Sequence, residues 1–199
     1  MPDVRYLLWD FGDTLVDQRW MWPSPEGVPG WTARYQALPD TDIDTSWNVG
    51  ETTSEQLAVA IAADLACTPE SLLAHMEQRC SDVQFFEHAW AAARAHTLPQ
   101  AIVTVNSDVF SRFVVPKYAL DSVFDVIVTS WEEHTMDKAR LCEIALERLG
   151  GSDPAEALLV DNIEENVEAW RARGGQAYLF VSDERFAADV VRLLAAEDP

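Results

Sequence analysis

The chain has 199 residues, 48% of them hydrophobic, enough for one main domain with a modest insertion. Asp and Glu number 34 against 14 Lys and Arg, a formal net charge of −20; a field of that sign repels nucleic-acid phosphates and anionic lipid, so neither is an expected partner. No apolar run approaches the roughly 20 residues that span a bilayer, and Met1-Pro2-Asp3 leads into a strand-like run without a signal-peptide pattern, so a cytoplasmic protein is expected.

Val4 to Trp9 is a short apolar run ending at Asp10, the pattern of a strand buried on both faces. The following stretch, 16–95, interrupts any strand–helix rhythm. Arg19 to Gly50 is rich in Trp, Pro and Asp and has no clear period. Helices are predicted over Thr53 to Ala66, where Leu57, Ile61 and Leu65 fall four apart, over Pro69 to Cys80 with Thr68 as N-cap, and over Gln84 to Ala95. A second strand, Gln100 to Val105, ends in Asn106-Ser107-Asp108, and a third, Phe124 to Val128, runs into Thr129-Ser130. The next helix keeps Leu141, Ile144, Ala145 and Leu149 on one face and stops at Gly150-Gly151. Ala157 to Val160 runs into Asp161-Asn162, a helix carrying Val167 and Trp170 stops at Gly174-Gly175, and Gln176 to Val181 is the fifth strand.

This alternation predicts an α/β fold: a Rossmann-like, doubly wound parallel sheet with a helical cap inserted after the first strand. The core comprises 1–15 and 96–199, the cap 16–95. Polar residues collect where the strands end, the edge at which open parallel sheets bind ligands. Cys67, Cys80 and Cys142 are odd in number, lack paired metal-ligand spacing and read as buried thiols. His75, His88, His96 and His134 show no ligand spacing either and read as packing or surface residues. Trp20, Trp22, Trp31 and Trp47 read as core or interface residues, with walls for an apolar or sugar-ring substrate as the alternative.

Four segments, in order and on these elements, carry a family resemblance. Asp10-Phe11-Gly12-Asp13-Thr14-Leu15, the stretch Thr104 to Ser107, Lys138, and Asp161 with Glu165 resemble the motifs of the haloacid dehalogenase superfamily. The insertion falls where that family places its cap and resembles the small caps of its sugar-phosphatase-like members. The resemblance implies a Mg²⁺-dependent hydrolase of a small phosphorylated metabolite, with Asp10 attacking phosphorus to form an aspartyl-phosphate. It implies that Asp10, Asp161, Glu165 and the Gly12 carbonyl hold Mg²⁺, that Lys138 neutralises the carboxylates and the phosphoryl group, and that Asn106, Ser107 and Thr104 contact phosphate.

Two positions depart from the family pattern. The second Asp, the family's acid/base, is replaced by Gly12, and Asp13 one place later is the candidate substitute. Losing such a group costs about 10² to 10⁴ in rate, which points to a leaving group needing little protonation, such as an anomeric or acyl phosphate. With Asn106 on the family's Asn, Val105 takes the place of a Ser or Thr, leaving Thr104 or Ser107 to serve. Two competing functions remain: metal-independent displacement at carbon, as in dehalogenase relatives that also lack the second Asp, and a catalytically degenerate fold kept as a binding or regulatory module.

Overall fold

In the computed structural model, which describes residues 4–21, 28–39 and 41–194, strand β1 (Tyr6–Trp9) lies at the centre of a five-stranded sheet. A turn leads to β2 (Val16–Asp17), followed by helices α1 (Trp31–Gln36), α2 (Asp42–Asn48), α3 (Ser54–Ile61) and α4 (Pro69–Arg79). The chain returns through β3 (Gln84–Phe85), which pairs antiparallel with β2 so that Val16 faces Phe85. Then come α5 (Glu87–Ala95), β4 (Gln100–Thr104), α6 (Val115–Tyr118), β5 (Val126–Thr129), α7 (Ser130–Glu133) and α8 (Lys138–Arg148). The last elements are β6 (Ala157–Asp161), α9 (Glu164–Ala172), β7 (Gln176–Leu179) and α10 (Asp183–Leu194).

The sheet order is β5-β4-β1-β6-β7, every pair parallel. Strands after β1 build outward on one side and then on the other, so the topology reverses at β1 and a crevice opens beyond its carboxyl end. The helices begin where side chains satisfy their first N–H groups. Thr68 Oγ1 accepts from Ser71 N at 3.2 Å, with Pro69 in the first turn of α4. Thr53 and Gln56 form a reciprocal capping box at α3. Asp137 Oδ1 accepts from Arg140 N at 3.1 Å at the start of α8.

The two faces of the sheet are covered differently. On one, Leu8, Ala101, Val103, Val128 and Leu159 pack against Leu141, Cys142 and Ala145 of α8 and Trp170 of α9. On the other, Leu7, Trp9, Ile102 and Val160 belong to one continuous apolar cluster with Trp31, Leu57, Leu72 and Met76 of the inserted helices. The insertion thus shares its core with the sheet.

Three expectations are corrected. The helix expected to Ala66 ends at Ile61, and a tight turn over Ala63–Leu65 follows, with Ala66 left-handed at φ 50°. The helix expected from Gln84 starts at Glu87, because Gln84 and Phe85 are taken by pairing with β2. Cys67 is only half buried, whereas Cys80 and Cys142 are buried thiols. Among the described residues no helix is long and apolar enough to cross a membrane.

Candidate active site

Because β1 and β6 are paired neighbours with Trp9 opposite Val160, the residues that follow, Asp10 and Asp161, emerge side by side at the sheet edge. Lys138, the first residue of α8, reaches both. Its Nζ donates to Asp10 Oδ1 at 2.5 Å and lies 3.0 Å from Asp161 Oδ2. All three side chains are buried. Burial pushes the Asp10 carboxyl up to about 6; Lys138 pulls it down and the Asp161 charge pushes it up again. Burial alone would lower the Lys138 ammonium, but the two carboxylates outweigh it and hold the group above its ordinary range. Two carboxylates share one ammonium, so the cluster presents uncompensated negative charge.

Asp161 is further fixed by donors from the turn into α9. Ile163 N donates to its Oδ1 at 2.8 Å, and Asn166 Nδ2 lies 3.2 Å from each carboxylate oxygen. The family resemblance pointed to Glu165, but Glu165 is exposed and does not line the cleft; its neighbour Asn166 turns to Asp161. An amide one residue further along the helix carried no motif signal.

Asp10 and Lys138 open into a cleft of about 420 Å³. Thr104, Val105 and Asn106, beyond β4, form one wall. Asn106 Nδ2 donates to Thr104 Oγ1 at 2.8 Å, and Asn106 N donates to Ser130 Oγ at 3.0 Å. Ser107 is buried and lies off the cleft wall, so of the two hydroxyls offered by sequence only that of Thr104 belongs to a cleft-lining residue. The opposite wall comes from the insertion, with Trp20, Tyr35, Gln36, Asp44 and Asn48. Trp31 is buried in the core with Nε1 donating to Met21 O at 2.7 Å, and Trp22 lies outside the described residues.

The turn after β1 places Gly12 on the cleft and Asp13 off it. Asp13 adopts a left-handed conformation at φ 52°, and its Oδ1 accepts from Gln18 N at 3.0 Å. It lines a separate acidic groove with Glu164, Asp183 and Glu184, so the structure does not bring it to Asp10. The space beside Gly12 is held by Gln18, whose Oε1 lies 3.3 Å from where a Cβ on residue 12 would stand.

A second buried carboxylate, which sequence reasoning missed, stands just behind the β4 wall. Asp108 accepts from Trp47 Nε1 at 3.1 Å, Ser54 N at 3.3 Å, Ser54 Oγ, and Arg112 NH1 at 2.8 Å. Arg112 sits in a wide-turn π-helix over Phe110–Val114 and also pairs with Glu55 at 2.8 Å. Ser130 Oγ, which receives Asn106 N, donates onward to Asn48 O at 2.7 Å. These bonds tie the inserted helices to the loop that walls the cleft.

The donor set fits a hard divalent cation. Mg²⁺ is held by one or two carboxylates and keeps several waters, and the site offers Asp10, Asp161 and the Gly12 carbonyl with an excess of negative charge. Among the described residues there is no group of three or more His, Cys, Asp or Glu side chains that could hold a metal, so waters and substrate oxygens would complete the shell.

No protein-family model matches the sequence, and a comparison with curated proteins finds no match. Solved structures do match. A predicted HAD-like family hydrolase from Porphyromonas gingivalis superposes with a TM-score of 0.71 at 13% identity, over 98% of this chain and 99% of that one. A HAD family enzyme from Bacteroides thetaiotaomicron, in complex with magnesium and inorganic phosphate, gives 0.66 at 15% identity over 88% and 93%. L-2-haloacid dehalogenase from Xanthobacter autotrophicus gives 0.65 at 20% identity over 98% and 85%. The fold is the one shared with these HAD-like hydrolases and the haloacid dehalogenase.

Proposed function

We propose that the protein is a Mg²⁺-dependent phosphohydrolase acting on a small phosphorylated metabolite through an aspartyl-phosphate on Asp10, with 16–95 as its cap. The observation that carries this reading is Lys138 bridging Asp10 and Asp161 at the floor of the cleft. Asp10 would attack phosphorus in line, splitting one hard displacement into two. Lys138 offsets charge on Asp10 and on the incoming phosphoryl group inside a buried site, where a fixed charge acts strongly. The side-chain amide of Asn106 has a second N–H that can donate to a phosphate oxygen. Asp10, Asp161 and the Gly12 carbonyl would hold Mg²⁺, which supplies the charge neutralisation that lets a phosphate dianion approach two carboxylates.

Displacement at carbon on an acid substrate has less support. Among the described residues lining the cleft Lys138 is the cation, and two carboxylates already engage it. A panel of phosphorylated metabolites assayed with Mg²⁺, wild type beside Asp10→Asn, tests the proposal. Asp10-dependent phosphate release supports it. Turnover of none sinks it, and metal-free chloride release from a 2-haloacid would replace it with displacement at carbon.

A further inference from the structure

We propose that Asp44, on α2, is the proton-transfer group of this site, supplied by the inserted helices in place of the turn after β1; the inference rests on the phosphohydrolase reading above. Among the described residues lining the cleft, four side chains titrate: Asp10, Tyr35, Asp44 and Lys138. Three are unsuited to carry a proton back and forth. Asp10 is the attacking group. Lys138 is held between two carboxylates, within ion-pair distance of both. Tyr35 keeps its proton because burial, with the Asp44 charge adding, pushes the phenol well above its ordinary range.

The turn itself offers no substitute. Gly12 has no side chain, and the neighbouring space is filled by Gln18, a carboxamide that donates and accepts hydrogen bonds but transfers no proton. Asp13 faces the other groove. Asp44 remains, half-buried, on a helix whose backbone is pinned: its N–H donates to Thr41 Oγ1 at 3.3 Å, and its carbonyl accepts from Asn48 Nδ2 at 3.0 Å. In-line attack by Asp10 sends the leaving oxygen away from the sheet edge, into the cleft that Asp44 lines.

The steps balance as follows. As the Asp10 oxygen–phosphorus bond forms and the phosphorus–ester oxygen bond breaks, the Asp44 carboxylic acid gives its proton to the leaving oxygen, and an alcohol departs. Asp44, now a carboxylate, takes a proton from the water that attacks phosphorus. Phosphate leaves, and both Asp10 and the protonated Asp44 are regenerated.

The test compares Asp44→Asn and Asp44→Glu with wild type on two substrates, an alkyl phosphate with a poor leaving group and acetyl phosphate with a good one. Asp44→Asn is expected to lower kcat on the alkyl phosphate by about 10² to 10⁴ with KM little changed, and the first step with acetyl phosphate far less. Rapid acid quench of Asp44→Asn with acetyl phosphate should show accumulated phosphoenzyme, because the second step has lost its base. Asp44→Glu should recover at least part of the alkyl-phosphate rate. An equal loss on both substrates without phosphoenzyme, or no loss at all, overturns the assignment. Wild-type enzyme that turns over neither substrate nor any other phosphate in an Asp10-dependent way overturns the phosphohydrolase reading itself, and the assignment with it.

Discussion

Two buried carboxylate clusters lie on either side of the β4 wall, and they are balanced in opposite ways. Asp108 is 2% exposed and meets four donors, from Trp47, both donor groups of Ser54, and Arg112. Asp10 and Asp161 are buried too, yet share the single ammonium of Lys138, and Asp10 and Lys138 line a cleft. A buried carboxylate with its lone pairs satisfied holds structure together. A pair left short of positive charge is costly to keep and is retained where a ligand completes it. The first cluster therefore joins the inserted helices to the loop beyond β4; the second is the one to which the proposed chemistry is assigned.

Substitutions can break this contrast, and the largest expected effect is on turnover. Asp10→Asn should lower kcat by about 10³ or more, as removal of a nucleophile does. In urea denaturation it should leave stability unchanged or raised, since it relieves one of two like charges. A clear loss of stability would erase the distinction drawn above. Lys138→Met leaves two buried carboxylates facing each other without their cation, which should cost about 3–5 kcal/mol, read from the same urea midpoints. Asp108→Asn keeps the shape but loses the charge that its donors point to. It should cost about 2–3 kcal/mol, with Asp10-dependent turnover persisting in the folded fraction. An Asp108→Asn protein as stable as wild type would show that the latch contributes nothing.

The smallest effect is a pH dependence outside both clusters. Asp183, at the start of α10, accepts from His88 N at 3.0 Å and Ala89 N at 2.9 Å, and pairs with the His88 ring at 2.9 Å. The Asp183 bond raises the His88 pKa above its ordinary 6.5, so that stabilisation is complete below 6.5 and fades as pH rises through the elevated value. Burial opposes ionisation of Asp183, but the His88 and Ala89 amides hold its pKa below 3.8, so its contribution fades only as pH falls through that lowered value. Hydrogen exchange at the first turn of α5, corrected for intrinsic rates, should therefore quicken on the alkaline side of the His88 titration. Protection that stays flat there would refute the link.

The sheet was legible in the sequence because each strand is a short apolar run, the central three almost wholly buried, and polar residues mark where most of them end. Asp10, Asp161 and Lys138 could be read for the same reason, since they sit at the ends or starts of periodic elements. Elsewhere the signal failed. β3 is two residues long, too short for any period, so Gln84 and Phe85 merged with the helix behind them. Asn166 was passed over for Glu165 because the choice depends on which side of the first turn of α9 faces Asp161. Asp13 stood next to the right position, but a left-handed turn aims it elsewhere. Asp108 stood out only as the last residue of Asn106-Ser107-Asp108, because Trp47 and Ser54, its partners, are 61 and 54 residues away along the chain.

The paired strands β2 and β3 carry the chain out to the inserted helices and back at adjacent points. By connectivity this makes the insertion exchangeable: cut beside Asp17 and Gln84, the two ends lie close enough to be rejoined by a short turn. By energetics it is not. Excision would break open the apolar cluster that Trp31, Leu57 and Leu72 share with the sheet, and would leave Asp108 and Arg112 without Trp47, Ser54 and Glu55. A graft of another insertion at this junction would have to bring its own donors for Asp108, so the loop behind the cleft constrains which insertions the scaffold can accept.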